Sequence, residues 1–465
     1  MEFLWLYALN IILIVVVVFF KRKDPAVAMA WLLCFIFMPV IGPIIYIIFG
    51  WGLKKRTKKK YIEKTRQSFA FSTKTKHSEA KEEYKFLIDY FKNTSKSILT
   101  EKNSVKTYIN ARDKYDDLIR DIKNAKETIN LLYFIIHNDE IGKEILTLLT
   151  LKAKEGVEVR FLYDGFGSIL TPNKAFRALK KTKNAKVSAF LPVNIFSYSL
   201  INHRNHRKIA IIDGKIAYLG GMNIGDEYMG QKKPTPWRDT HLRIIGEAVS
   251  EVQRIFCLDW EFTTGENIKK NSELFFKEPI ECEKALPMQI VASGPDSSCD
   301  EVKSGFIKML YMAKDYVYIQ TPYFAPDQSF LDAIKTAAET GVDVRLMIPK
   351  IPDKKYVYYT TLSYVDELLK SGVKVYLYPG FIHSKTIVSD DSLVSVGTTN
   401  IDIRSFTLHF EVNAFIYDGD ESKKHKNIFL KDLEKSKEIT KESQKKRGVL
   451  NVMKEGFFRL FAPIM

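Results

Sequence analysis

The stretch His206-Arg207-Lys208-Ile209-Ala210-Ile211-Ile212-Asp213, followed by Gly220-Gly221-Met222-Asn223, recurs in the second half of the chain. There it reads His383-Ser384-Lys385-Thr386-Ile387-Val388-Ser389-Asp390, followed by Gly397-Thr398-Thr399-Asn400. The histidine, lysine, aspartate, glycine and asparagine keep identical offsets in both copies. One H-x-K-x4-D carries little weight, because its residues are common. Two copies in register, each with the same trailing glycine and asparagine, do not arise by accident.

A separation of two places His206 and Lys208 on one face of an extended strand, while Ile209 and Ile211 face a core. Asp213-Gly214 predicts a two-residue hairpin turn. Folding there sets Gly221 opposite His206 and Asn223 one pair beyond, so His206, Lys208 and Asn223 share a surface. The same fold at Asp390-Asp391 gathers His383, Lys385 and Asn400. Gly221 leaves room for a group to approach the imidazole, whereas Thr398 fills that place in the second copy and adds a hydroxyl.

These side chains suit a phosphodiester. Lysine supplies fixed positive charge, asparagine a neutral donor, and histidine attacks phosphorus or moves a proton near neutral pH. One copy offers one imidazole. Attack and protonation of the leaving group need two, so the copies are expected to meet. Asp213 and Asp390 join the catalytic candidates, although their turn positions suit an architectural role equally well.

The duplication extends beyond the motifs. Ala125-Lys126-Glu127 leading into Asn130–Phe134 mirrors Ala313-Lys314-Asp315 leading into Ile319–Phe324, and Gly156–Arg160 mirrors Gly341–Arg345. Each half reads helix, strand, helix, strand, then the motif hairpin. That predicts an α/β fold of two pseudo-twofold-related domains, at 101–265 and 285–465, joined through 265–285.

The doubled motif resembles that of the phospholipase D superfamily. Within it, Asn205–Lys208, Gly220–Tyr228, Trp237–Arg243, Thr321–Phe324 and Asn400–Phe406 are similar to the bacterial cardiolipin synthase family. The resemblance runs from the N-terminal apolar segments to the last residues. It implies two phospholipase D-like domains that convert two phosphatidylglycerol molecules into cardiolipin and glycerol through a phosphohistidine. His206 is expected as nucleophile and His383 as acid and base, although pseudo-symmetry leaves the order open. Lys208, Lys385, Asn223 and Asn400 are expected to bind phosphoryl oxygens, with no cofactor and no metal. The family's use of an acidic residue to orient each imidazole assigns Asp239 to His206 and Glu411 to His383. Tyr323 and the apolar stretch from Phe190 to Leu200 are expected at the lipid entrance.

Residues 3–20 form an apolar run long enough to span a bilayer, and a second run over about 26–51 is broken by Pro39, Gly42 and Pro43. Residues 1–60 therefore read as a membrane anchor, a transmembrane helical hairpin. The first run lacks a basic leader and a small-residue cleavage site, which argues against a signal peptide. Basic clusters at 21–23 and 54–60 flank the second segment, so either both termini are cytoplasmic or that segment is re-entrant. Both readings put the catalytic part on the cytoplasmic face of a bacterial cell membrane.

Residues 61–100 read as a lysine-rich, helical connector, and 420–447 as a solvated helix. The tail Val449–Met465 has the pattern of an amphipathic helix, lying on a bilayer or packed on the domain. The net charge of +16 suits anionic phospholipids. Nucleic acid would attract the same charge, but the anchor favours lipid as partner and no aromatic stripe accompanies the motifs. The four cysteines, Cys34, Cys257, Cys282 and Cys299, show neither zinc-site nor disulfide spacing. A lipid hydrolase and a phosphatidylserine synthase would use the same residues on another acceptor. A membrane-tethered nuclease and an inactive lipid-binding scaffold are the remaining rivals. Oligomeric state is not encoded in any of these features.

Overall fold

The computed structural model describes residues 4–20, 25–46, 82–192, 202–230, 236–268, 272–297 and 299–464. The first half contributes β1 (Asn103–Tyr108), β2 (Thr128–Tyr133), β3 (Glu158–Asp164), β4 (Ala185–Phe190), β5 (Lys208–Ile212), β6 (Ile216–Gly220) and β7 (His241–Gly246). The second contributes β8 (Met288–Ser293), β9 (Tyr316–Gln320), β10 (Asp343–Pro349), β11 (Lys374–Tyr378), β12 (Thr386–Ser389), β13 (Leu393–Gly397), β14 (Glu411–Ile416) and β15 (Lys437–Ile439). The first sheet runs β1-β7-β6-β5-β2-β3-β4 and the second β8-β14-β13-β12-β9-β10-β11-β15. The two orders are the same apart from the extra edge strand β15. The expected duplicated α/β architecture is therefore present.

The three parallel strands of each half, β2-β3-β4 and β9-β10-β11, are nearly continuous apolar runs, as a sheet covered on both faces requires. Helices cover the outer faces. Ala111–Asn124, Glu140–Lys154 and Gln328–Glu339 start at Asn110, Asp139 and Asp327, whose side chains accept a backbone N–H of the first turn. The inner faces meet across a shared core. Ile209, Ile211 and Leu219 of the first sheet join Val394, Val396 and Val412 of the second, with Val252 and Phe256 of helix Ala248–Thr264. Each such side chain contributes roughly 1.5–3 kcal/mol on burial, so this core fixes the two halves to one another.

The motif hairpins differ from expectation by one residue. Ile212 pairs with Ile216 and Ser389 with Leu393, so each turn has three residues rather than two. Asp213 and Gly214 both take positive φ, 52° and 62°, as do Asp390 and Asp391, 52° and 49°. The cause lies outside the hairpin. The Asp213 carboxylate accepts the amides of Lys126, Glu127 and Thr128 at 2.8, 2.8 and 2.9 Å, pinning the first turn residue. In consequence Lys208, not His206, lies nearest to Gly220 and Gly221 along the ladder.

Two further expectations change. Helix Lys85–Thr94, within the expected connector, inserts Leu87, Ile88 and Phe91 against Val302 and Phe306 of the second half. Helix Gly419–Leu433 is not simply solvated: it buries Ser422, His425 and Phe429, and its Asp432 meets Arg238 of the first half at 2.9 Å. The basic clusters at 21–23 and 54–60 and the connector as far as residue 81 lie outside the described residues.

At the N-terminus, helix Leu4–Val15 runs into the π-helical turn Val16–Phe20, and helices Pro25–Phe37 and Ile41–Ile45 follow. Leu13, Val17, Phe35 and Tyr46 pack together, while Ile12, Phe19, Ile36 and Phe37 face outwards. Among the described residues no helix is long and apolar enough to cross a membrane.

Candidate active site

The site lies at the carboxyl ends of the parallel strands, where open α/β sheets bind ligands. Lys208 pairs with Tyr133, the last residue of β2, and Thr386 with Gln320, the last of β9. Each histidine therefore sits just before its strand, at the interface of the halves. A short parallel bridge to the other half holds it there. His206 N donates to Phe410 O at 2.9 Å, and Phe410 N to Arg204 O at 2.9 Å. His383 N donates to Arg238 O at 2.6 Å, beside the paired segments Trp237–Arg238 and Phe381–Ile382.

These bridges cross the carboxylates over. The residue after Phe410 is Glu411, whose Oε1 and Oε2 lie 2.9 and 3.1 Å from His206 Nδ1. The residue after Arg238 is Asp239, whose Oδ2 lies 2.6 Å from His383 Nδ1. The assignment of Asp239 to His206 and Glu411 to His383 is thus reversed. Each imidazole is oriented by the opposite half, because the inter-domain bridge, not the local hairpin, sets its neighbour. A carboxylate on Nδ1 fixes the proton there and leaves the lone pair on Nε2.

The two carboxylates are held differently. Glu411 Oε2 accepts the Thr398 hydroxyl at 2.5 Å, and that hydroxyl accepts Val412 N at 2.9 Å. Asp239 Oδ1 accepts Thr240 N at 2.7 Å. A Cβ on Gly221 would lie 2.1 Å from Asp239 Oδ1, so the glycine makes room for the carboxylate. Thr398 and Gly221 thus do the same job, one by donating and one by yielding space. Arg207 braces one junction through Asp259 at 2.6 Å and Glu411 O at 3.0 Å. Arg238 braces the other through Asp432 at 2.9 Å and Asp239 O at 2.7 Å.

Both lysines are buried, and each donates to the carbonyl of its own histidine: Lys208 Nζ to His206 O at 2.6 Å, Lys385 Nζ to His383 O at 2.5 Å. Burial lowers Lys208 well below the usual lysine range and brings Lys385 down to about 8. Burial also pushes His206 well below the usual imidazole range, and the charges of Lys208, Lys385 and His383 push the same way. His383 is lowered by burial and Lys385 but supported by Asp239. The two motifs thus lie near enough for each to feel the other's charge.

Asn223 is anchored in its own half, accepting Ile135 N at 3.1 Å and donating to Tyr228 Oη at 2.8 Å. The Oδ1 atom of Asn400 is buried without a hydrogen-bond partner among the described residues. Asp213 and Asp390 leave the catalytic set. They lie at the far end of the hairpins, and Asp390 accepts Lys314 N, Asp315 N and Tyr316 N at 2.8, 3.0 and 2.9 Å, as Asp213 does in the first half. Tyr323 Oη lies 2.5 Å from Asp353 Oδ2, and residues 193–200 of the expected entrance lie outside the described residues.

Several rings around the histidines were not singled out from sequence. Phe134 stands edge-on to His206 at 4.9 Å, His409 lies 5.6 Å from it, and Trp237 lies 5.5 Å from His383. His409 and Trp237 each stand two residues before the crossing carboxylate, so position relative to Asp239 and Glu411 was the available signal. His206, His409 and Glu411 also place ligand-type atoms within 4.8 Å of one another.

A family model described as "Cardiolipin synthase, PLD-like domain" matches residues 118–260 and 306–433, and one described as "Phospholipase D-nuclease N-terminal" matches 8–51. A cardiolipin synthase of Oceanobacillus iheyensis is 40% identical across 99% of this chain and 98% of its own length. The chain belongs to the cardiolipin synthase family of phospholipase D-like proteins. Cardiolipin synthases of Staphylococcus aureus and Listeria welshimeri are 41% and 42% identical, over 100% and 99% of this chain and 96% and 98% of theirs. Among solved structures, the phosphatidylserine synthase of Haemophilus influenzae Rd KW20 superposes with a TM-score of 0.59 at 16% identity, over 81% of this chain and 97% of that one. At that identity the likeness concerns the fold.

Proposed function

We propose that this enzyme is a phosphatidyltransferase making cardiolipin and glycerol from two phosphatidylglycerol molecules. The observation that carries it is the pair of imidazoles, each with Nδ1 on a carboxylate from the opposite half. His206, whose neutral form burial favours, attacks phosphorus through Nε2. The P–O bond to glycerol breaks as the P–N bond forms. His383, whose proton Asp239 supports, protonates the departing oxygen. It then takes the proton from a headgroup hydroxyl of the second lipid, whose oxygen displaces the histidine from phosphorus. Lys208, Lys385, Asn223 and Asn400 supply charge and donors to the non-bridging oxygens.

The N-terminal segments serve as the membrane anchor in this proposal. The support for this is in the sequence: the apolar run 3–20 is long enough to span a hydrocarbon core, and a second, broken run follows over about 26–51. The catalytic halves then lie on the cytoplasmic face. Cys299 is exposed there, so a membrane-impermeant maleimide should label it in broken cells and not in intact ones.

Membranes carrying the protein and labelled phosphatidylglycerol should yield labelled cardiolipin and glycerol, and either histidine replaced by alanine should abolish both. Phosphatidic acid as sole product would instead make the enzyme a hydrolase.

A further inference from the structure

We propose that the mouth of the cleft is itself a membrane-docking rim, formed by the C-terminal helix and the loop after β3, and that its occupant is the surface of an anionic bilayer. This rests on the substrate being a lipid.

The C-terminal helix, Val449–Arg459, is amphipathic in the inverted sense. Its inward side carries Glu455, buried beside Arg447 at 3.5 Å, and Phe458, stacked on Tyr359 at 5.8 Å. Phe458 O accepts the Thr360 hydroxyl at 3.0 Å, and Arg459 donates to Ser363 O at 3.1 Å. Leu450, Met453, Phe457 and Leu460 follow at helical spacing on the opposite side, and Leu450 and Leu460 are 72% and 76% exposed. A helix folded against water turns such a stripe inward. One that buries a glutamate and presents leucines outward suits an apolar outer medium.

Both apolar ridges are tied to segments that follow the carboxyl ends of parallel strands, the edge on which the site lies. The C-terminal helix packs on helix Lys355–Leu362, whose Thr361 hydroxyl accepts Phe324 N at 3.1 Å, next to Tyr323. In the first half, Ile169 and Leu170 are exposed, Leu170 at 84%. Their neighbour Ser168 is bonded to Ile136 N and Phe134 O at 3.2 and 3.1 Å, and Phe134 stands against His206. The ridges therefore lie on both halves, at the end of the sheets where the histidines meet. Exposed Lys174, Lys354, Lys355 and Lys454 lie along them, and the chain carries +16, which selects an anionic surface. Docked in this way, the cleft opens into the headgroup layer, and a phosphodiester reaches the imidazoles without its acyl chains leaving the bilayer.

The test uses the full chain in vesicles of phosphatidylglycerol and phosphatidylcholine. Cys34, Cys282 and Cys299 are replaced by serine, and an environment-sensitive dye is placed at Leu450→Cys or Leu170→Cys. Both dyes should shift to the blue and be quenched by lipids spin-labelled in the acyl chain, whereas a dye at Lys186→Cys on the first sheet should not. An unquenched dye at both rim positions overturns the docking, whatever the turnover. Quenched dyes with no cardiolipin formed would support docking while removing the transferase reading. In a second arm, Leu450→Asp with Leu460→Asp should lower turnover of vesicle phosphatidylglycerol roughly tenfold and leave turnover of a dissolved short-chain analogue unchanged. Equal loss on both substrates would also overturn the docking.

Discussion

Replacing Glu411 by glutamine tests the crossing of the carboxylates most directly, because the structure dictates how the amide must sit. The Thr398 hydroxyl accepts Val412 N and donates to Glu411 Oε2 at 2.5 Å, so an oxygen is wanted on that side. The glutamine oxygen takes it, and the NH2 group is left facing His206 Nδ1. A donor there drives the imidazole to the tautomer with its proton on Nε2, which removes the lone pair that attacks phosphorus. In a serine-protease triad the equivalent carboxylate-to-amide change costs about 10⁴ in rate. A loss of about 10³–10⁴, or roughly 4–5.5 kcal/mol at 1.36 kcal/mol per decade, is the expectation here. Asp239→Asn should behave differently. Thr240 N holds the amide oxygen, so His383 faces NH2 and loses support for its imidazolium, which matters only while a leaving group needs a proton. The assay is single-turnover cleavage of two short-chain substrates, one leaving as glycerol and one as p-nitrophenolate, which departs unprotonated. Asp239→Asn should be slow on the first and largely restored on the second. Glu411→Gln should be slow on both and should accumulate no phosphoenzyme. Retention of turnover within about fivefold of wild type by Glu411→Gln, against the 10³–10⁴ expected, would refute the orienting role, and restoration of Glu411→Gln in place of Asp239→Asn would exchange the two histidines.

Gly221→Ala should lower turnover roughly 10–100-fold, since its Cβ would meet Asp239 Oδ1 at 2.1 Å and push that carboxylate off His383. Thr398→Val should do the same through Glu411, with Thr398→Ser close to wild type in the same product assay. Lys385, lowered from 10.5 to about 8, is charged below that pH and neutral above it. The ratio kcat/KM should therefore fall as pH climbs through about 8, and Lys385→Arg should remove that limb whatever it does to the plateau; a wild-type profile flat to high pH would count against the lysine's role. Asp213→Ala removes the acceptor of three backbone amides. It should cost about 2–3 kcal/mol, seen as a drop in Tm of roughly 5–10 °C, with kcat well below the transition nearly unchanged.

The duplicated fold was legible because the offsets of histidine, lysine and glycine, and the strand blocks before them, repeat in order along the chain. The acidic partners, Asp239 and Glu411, were legible as residues but not as pairs. Nothing local says that Phe410 will hydrogen-bond to His206 N across the interface, so proximity in sequence pointed each carboxylate at the wrong ring. The turn length was missed for a similar reason, because the amides that pin Asp213 come from Lys126, Glu127 and Thr128, some 85 residues away. Tertiary partners fixed what local propensity left open. The buried side of helix Gly419–Leu433 follows the same rule, since its charge pattern reads as solvated until Asp432 finds Arg238.

The crossing has a consequence for the pseudo-symmetry. Neither half contains a working imidazole, since each histidine borrows its carboxylate from the other, so a single half folded alone lacks the group that fixes its own tautomer. Two copies that depend on each other in this way are free to differ in their surroundings. One histidine has gained a glutamate held by Thr398, an edge-on phenylalanine and a second imidazole, His409. The other has an aspartate accommodated by Gly221 and an indole, Trp237. Burial and the neighbouring lysines lower both rings, and Asp239 supports the positive form of His383. Attack on phosphorus needs a neutral imidazole and departure of glycerol needs a charged one. The asymmetry is compatible with the proposed roles, in which His206 forms the bond and His383 carries the proton.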